Sequence, residues 1–217
     1  ATDFSHYLAP YPNVMAQQGN YRLFKKNKVD FLFAQGSYTS CKGDFAELKG
    51  WLQSKLMWNV DANVQELLED FFDGYYGKAA PWVRTCFDAL HSYFRDTANE
   101  PMGIGMNICT KSFPHDFFDR AEMLWELAVK AVENEPECYR KNVRYGMFSV
   151  WYAQYVRMGG SKGKAAWLMD DPSKLLERMN RRSDYVKKMM DVKRELGRTV
   201  HPSEWPTYKP DQFFTEL

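Results

Sequence analysis

Residues 29–38 read VDFLFAQGSY, and this stretch decides how the rest of the chain is interpreted. Residues 29–35 are almost continuously apolar, too few for a typical helix, and are followed by Gly36. They predict a β-strand buried on both faces, as in a parallel sheet. Such a strand needs neighbours, because each backbone polar group left unpaired away from water costs about 1–3 kcal/mol. Almost everything after it has a helical pattern, so we expect this chain to be a piece of something larger.

Helical patterns flank the predicted strand. Residues 13–28 precede it, and a helix ending at Trp58 follows it. Asp44, with Glu47 three residues later, resembles a capping box at the start of that second helix. The order of these elements predicts one α-β-α unit.

The chain from residue 63 onward is predicted to be helical. Gly74 is expected to end one helix and Pro81 to open the next. Three longer helices are predicted over residues 116–133, 136–157 and 171–196. We therefore predict a mainly α fold, a helical bundle or array preceded by one α-β-α unit. Its predicted parts are residues 1–76, residues 77–198 and an extended tail over residues 199–217.

Composition excludes several classes of protein. The 217 residues include 29 Lys and Arg against 28 Asp and Glu, so no strong field recruits nucleic acid or an anionic membrane surface. No apolar run approaches the roughly 18 residues of a membrane span, and the first residues lack the pattern of a signal peptide. The four cysteines form no CxxC pair, and no glycine-rich phosphate loop is present, so we expect neither a metal nor a cofactor. Cys86 and Cys138 are expected to be buried free thiols on apolar helical faces; the alternative, which an even number of cysteines permits, is two disulfides.

Candidate binding residues lie where the predicted strand ends. Ligands of parallel α/β architectures bind at the carboxyl ends of the strands. Gln35 and Tyr38 offer an amide and a flat ring with a polar tip, a set that suits a hydroxyl-rich, sugar-like ligand. The N-terminal segment could lie beside the same loop, which adds Asp3, His6 and Tyr7. The alternatives are that Gln35 and Tyr38 satisfy loop backbone groups and that His6 is structural.

Three runs carry a family resemblance. They are HYLAPYPNV, YRLFKKNKVDFLFAQGSY and the stretch from FAELKGWLQSKLMWN to FFDGYYGKAAP. All three resemble the closing part of a bacterial family labelled domain of unknown function 4838, whose members are proposed glycoside hydrolases. The resemblance covers roughly residues 5–95. It implies the C-terminal portion of a secreted or periplasmic carbohydrate-active protein, with residues 29–35 as the last strand of a (β/α)8 barrel. It also implies a carbohydrate partner and catalytic carboxylates upstream, so that this chain alone would be inactive.

Two other functions fit the residues. The first is a helical protein-interaction module that self-associates by pairing the strand of residues 29–35 with another chain. The second is a non-catalytic sugar-binding module, for which Tyr38 would be needed. The basic side chains near the C-terminus, Arg181 and Lys188 among them, are typical of a solvated amphipathic helix, with a partner-binding surface as the alternative.

Overall fold

The computed structural model describes residues 2–97, 103–105, 113, 114, 116–158, 175–197, 200 and 204. Across these residues the chain is mainly helical and contains no strand, which confirms the predicted α class. No helix among them is long and apolar enough to cross a membrane. The α-helices in chain order are α1 (Gln17–Lys26), α2 (Ala46–Trp58), α3 (Val64–Tyr76), α4 (Ala80–Thr97), α5 (Phe117–Ala131), α6 (Glu137–Arg157) and α7 (Leu175–Leu196).

The predicted strand is not formed. Residues 29–37 are irregular, and the backbone N–H groups of residues 30–35 have no backbone acceptor within the described parts of the chain. The predicted α-β-α unit is therefore wrong for this structure: α1 and α2 are present, but the segment between them is not a strand. The apolar pattern of residues 29–35 indicates a need for burial, whereas a strand also needs a neighbour to which its backbone can bond.

Asp44 and Glu47 do not form the predicted capping box. The N-cap residue of α2 is Phe45, which has a left-handed backbone at φ +45° and makes no side-chain cap bond. The buried Asp44 Oδ2 instead accepts hydrogen bonds from the Tyr11 backbone N–H at 3.0 Å and from Lys49 Nζ at 3.1 Å. A buried carboxylate needs charged and hydrogen-bonding partners more than an exposed helix end needs a cap. Asp44 thus fastens the N-terminal segment to α2.

Helix α3 runs past its predicted end. Asn63 caps its start by accepting a hydrogen bond from the Gln65 N–H at 3.0 Å. Gly74 lies inside the helix, and the end comes at Gly77, which has φ +56°. An internal glycine costs roughly 1 kcal/mol, which the burial of Tyr76, two residues later, outweighs.

Helix α6 is the central element. Every residue from 147 to 157 is buried, a pattern found when a helix is surrounded by other elements. Helix α6 contacts α3, α5 and α7. The predictions of three long helices over residues 116–133, 136–157 and 171–196 are confirmed for α5, α6 and α7, with bounds that differ by at most two residues where the structure describes them. Residues 171–174 lie outside the described residues.

The basic residues of α7 are largely used inside the fold. Arg181 pairs with Asp119 of α5 at 2.7 Å, and Lys188 pairs with Glu122 of α5 at 3.3 Å. The Tyr185 hydroxyl also donates to Glu122, at 2.6 Å. These contacts favour the amphipathic-helix interpretation over a surface held free for a partner.

Buried residues from Leu8 to Val200 form one hydrophobic cluster, to which both the first part and the helical part of the chain contribute. The division at residues 76 and 198 stays a prediction, and the tail lies outside the described residues except for Val200 and Glu204.

Cys86 is buried in this cluster as a free thiol, and burial raises its pKa to about 12. Cys138 is also free but exposed, so that prediction was wrong. It lies in the first turn of α6, before the buried part of that helix begins.

Two glycine-to-alanine changes should have opposite effects on stability. A methyl group at Gly146 of α6 would overlap the indole ring of the buried Trp125, so Gly146→Ala should lower the free energy of unfolding by about 1–3 kcal/mol. Gly74→Ala meets open space inside α3 and should raise it by about 0.5–1 kcal/mol. Urea unfolding followed by circular dichroism measures both, and equal effects would contradict the packing described here.

Candidate functional site

A turn built around Asp3 holds the N-terminal segment. The Asp3 Oδ1 atom accepts hydrogen bonds from the backbone N–H groups of Ser5 at 3.0 Å and His6 at 3.1 Å. The His6 Nδ1 atom lies 2.7 Å from the Tyr152 hydroxyl of α6. The candidate residues Asp3 and His6 therefore anchor this segment on the central helix, which is the structural role considered for His6.

Burial shifts the titration of both anchors. It raises the pKa of Asp3 to about 7, against the lowering effect of the hydrogen bonds from Ser5 and His6. It lowers the pKa of His6 to about 4. The second carboxylate oxygen of Asp3 is buried and has no hydrogen-bond partner in the described structure. Asp3 is wholly inaccessible to solvent, so its carboxyl group does not present itself to a ligand at the surface.

Glu204 brings the other candidate residues together. The Gln35 Nε2 atom donates to Glu204 Oε1 at 3.2 Å, and the Tyr38 hydroxyl lies near the same carboxylate. The hydrogen-bonding oxygen atoms and the negative charge of Glu204 raise the pKa of Tyr38. We call Tyr7, Gln35, Tyr38, Thr39 and Glu204 the rim cluster.

Tyr7 and Thr39 form the inner side of the rim cluster. Burial raises the pKa of Tyr7; the neighbouring Thr39 hydroxyl opposes this effect and Glu204 adds to it. Neither of the two hydroxyls has a well-formed hydrogen bond in the described structure, and both oxygen atoms are buried. The outer side is open, since 67% of Tyr38 is exposed.

The structure thus joins three of the five candidate residues, Tyr7, Gln35 and Tyr38. It places Asp3 beside them: the Glu204 N–H donates to the Phe4 carbonyl at 2.9 Å, one residue away from Asp3. Sequence reasoning missed Glu204, which is 169 positions from Gln35 and lies in the segment expected to be an extended tail. No local pattern marks it, because its role arises from a contact between distant parts of the chain.

The chemistry open to the rim cluster is hydrogen bonding. The Glu204 carboxylate accepts, the Gln35 amide donates and accepts, and the hydroxyls of Tyr38 and Tyr7 do both. Within the described residues, no group of three or more His, Cys, Asp or Glu side chains is placed to hold a metal ion. The cluster is therefore suited to a ligand with several hydroxyl groups and one flat apolar face for the Tyr38 ring.

Comparison with known proteins identifies the first part of the chain. Residues 1–88 match the model of a family described as a domain of unknown function, DUF4838. This match confirms the family label given by the resemblance, and the description itself names no activity. No curated protein matches the chain, and no solved structure matches it.

The pH dependence of stability should report on Asp3. Folded Asp3 holds its proton up to about pH 7, whereas an ordinary Asp loses it near 3.8, so the folded state binds more protons between these values and its stability falls as pH rises. In Asp3→Asn this contribution is absent. The unfolding free energy of the variant minus that of the wild type should therefore rise by roughly 1–3 kcal/mol between about pH 4 and pH 7.

Urea unfolding across that pH range measures the difference. Burial lowers the pKa of both His6 and His91 to about 4, so these two groups make stability rise with pH up to about 6.5. Both proteins contain them, so their effect cancels when the unfolding free energy of the wild type is subtracted from that of the variant. The two proteins should be closest in stability near pH 4, where both side chains are uncharged. A difference that does not change with pH would contradict the burial of Asp3.

Proposed function

We propose that this chain is the mainly helical C-terminal portion of a carbohydrate-active protein and that its rim cluster binds sugar hydroxyl groups. One observation carries the proposal: Gln35 and Tyr38 meet at the Glu204 carboxylate, on a side of the fold where Tyr38 is open to solvent. Carboxylate, amide and phenol groups around an exposed ring are the usual means of holding a sugar ring. The resemblance of residues 5–95 points to the same ligand class, and to a secreted or periplasmic location.

The same proposal gives a role to residues 29–35. Phe31 is 93% exposed, Phe33 is 89% exposed, and the N–H groups of residues 30–35 lack backbone acceptors in the described structure. Such a segment has the apolar side chains and the available backbone N–H groups of a strand, and it lacks only a neighbouring strand to bond to. We infer that it becomes the closing strand of a (β/α)8 barrel when a sheet is supplied by the rest of the carbohydrate-active protein.

The chain alone is not expected to cleave glycosides. The usual mechanism needs two carboxyl groups on either side of the scissile bond. The rim cluster offers Glu204, whereas the carboxyl group of Asp3 is buried behind it. A second carboxylate would have to come from another part of the protein.

Binding and hydrolysis can be measured on the same sample. We expect millimolar binding of neutral disaccharides by saturation-transfer NMR, weakened about tenfold by Tyr38→Phe and by Glu204→Gln, since each removes one hydrogen bond to the ligand. Hydrolysis of nitrophenyl glycosides should stay at the level of buffer. Tyr139→Phe, which removes a hydroxyl from α6, serves as the matched control and should bind like the wild type. Hydrolysis by this chain, or undiminished binding by both rim variants, would refute the proposal.

A second candidate function is a helical interaction module that pairs with its own copy. Phe31 and Phe33 are exposed and lie two positions apart, on a backbone whose N–H groups at residues 30–35 bond to no backbone carbonyl in the described ranges. This arrangement allows another strand to add to the segment. Trp58, 94% exposed, extends the apolar surface next to this segment. Two copies related by a twofold axis could pair residues 29–35 in antiparallel fashion.

Sedimentation velocity over a range of concentrations distinguishes this candidate. We expect a dimer at tens of micromolar that Phe31→Lys converts to a monomer, because a charged side chain would replace the apolar contact of the Phe31 ring with the side chains of the facing strand. Leu176→Lys, the same kind of change at an exposed position of α7, should leave the dimer intact. A wild-type monomer at every concentration would exclude self-pairing and leave the barrel-docking role of the segment open.

A further inference from the structure

A second cleft lies next to the rim cluster, between α1 and residues 32–35. It has a volume of about 420 Å³, within the range of small-ligand sites. Its walls combine side-chain amides with aromatic rings, and none of the described residues that line it carries a charge. The amides come from α1, α2 and the adjoining segments: Asn13, Gln17, Asn20, Gln35 and Gln53.

One of these amides has an oxygen atom to which no group in the described parts of the chain donates a hydrogen bond. The Gln17 Oε1 atom is buried and has no hydrogen-bond partner in the described structure. A buried carbonyl oxygen in this state costs free energy. The atom has almost no accessible surface in this structure, so a ligand hydroxyl in the cleft bonds to it only when the Gln17 side chain turns outward. By contrast, the neighbouring Gln18 uses its amide inside the fold, where its Nε2 atom donates to the carbonyls of Val60 at 3.0 Å and Ala62 at 2.8 Å.

The aromatic residues supply an apolar wall. Tyr21 and Phe24 of α1 pack edge to face with ring centroids 6.1 Å apart, and the Gln53 side chain lies near the Tyr21 hydroxyl. Phe33 lies on the other side of the cleft and is largely exposed. A pyranose ring matches such walls, because its C–H groups pack against aromatic faces while its hydroxyls bond to amides.

We propose that this cleft is a second subsite for a neutral sugar ring. It adjoins the first subsite through Gln35, which lines the cleft and also donates to Glu204. A disaccharide would place one ring at the rim cluster and the other between α1 and Phe33. The inference rests on the proposed carbohydrate function and adds to it the selection of uncharged sugars, since a carboxylate on the second ring would lose its water without meeting a cation.

The test uses neutral disaccharides, cellobiose, lactose and mannobiose, and a disaccharide whose second ring is a glucuronate. Saturation-transfer NMR on the purified chain should show binding of at least one neutral disaccharide and tenfold weaker binding of its uronate counterpart. Gln17→Leu and Asn20→Leu should each weaken the neutral sugar about tenfold. Gln65→Leu makes the same chemical change on α3, where the side chain accepts a hydrogen bond from Arg84, and should leave binding unchanged.

Thermal unfolding separates a binding role from a structural one. If Gln17 serves a ligand, Gln17→Leu removes an unpaired buried acceptor and the unfolding midpoint should stay level or rise. A fall of several degrees in Gln17→Leu, with Asn20→Leu binding normally, would overturn the proposal. So would binding that depends on Tyr38 but not on Gln17 or Asn20, although the rim subsite would then stand. Absence of binding by any disaccharide would overturn both subsites.

Discussion

The approach of α5 to α6 at Gly146 is the constraint on which the rest of the fold depends. The indole of Trp125 occupies the space that a side chain at position 146 would fill. The same ring lies 5.9 Å from the Tyr76 ring of α3 and 6.3 Å from the Phe45 ring before α2, measured between centroids. One buried side chain therefore sets the separation of four parts of the chain, and interiors packed to this density do not tolerate a methyl group of excess volume without moving.

The site follows from that core by a short series of polar anchors. Helix α6, held by α5, presents Tyr152 to His6, and His6 lies in the turn formed around Asp3. Farther along the same segment, Asp44 and Lys49 hold Tyr11 against α2. These buried polar contacts fix the path of the N-terminal segment, and that path places Tyr7 beside the loop that carries Tyr38. The rim cluster thus depends on packing some distance from it.

Helical periodicity predicted most of the helices, because a buried face repeats every three to four residues whatever the partner. It did not predict how α3 ends, since Gly74 is an ordinary stop signal in sequence and only the burial of Tyr76 overrides it. The strand prediction failed for a related reason: an apolar run indicates burial but not the identity of its neighbour. Gln35 and Tyr38 were predicted from their position where the apolar run ends, and Tyr7 from the expectation that the N-terminal segment lies beside that loop; the three do meet. Glu204 was missed because the tail carries no pattern that announces a contact with the start of the chain.

Residues 29–35 are attached to the fold at both ends. The Val29 N–H donates to the Phe24 carbonyl at 3.1 Å, and the Gln35 side chain is tied to Glu204. Holding a chain segment in one conformation normally costs roughly 1–2 kcal/mol per residue in backbone entropy, and a free peptide loses that amount when it binds. Fixing the two ends here lowers that loss before any partner arrives. A strand that adds to this segment would therefore meet a template that has already lost part of its conformational freedom, and fewer new contacts would suffice to hold the two together.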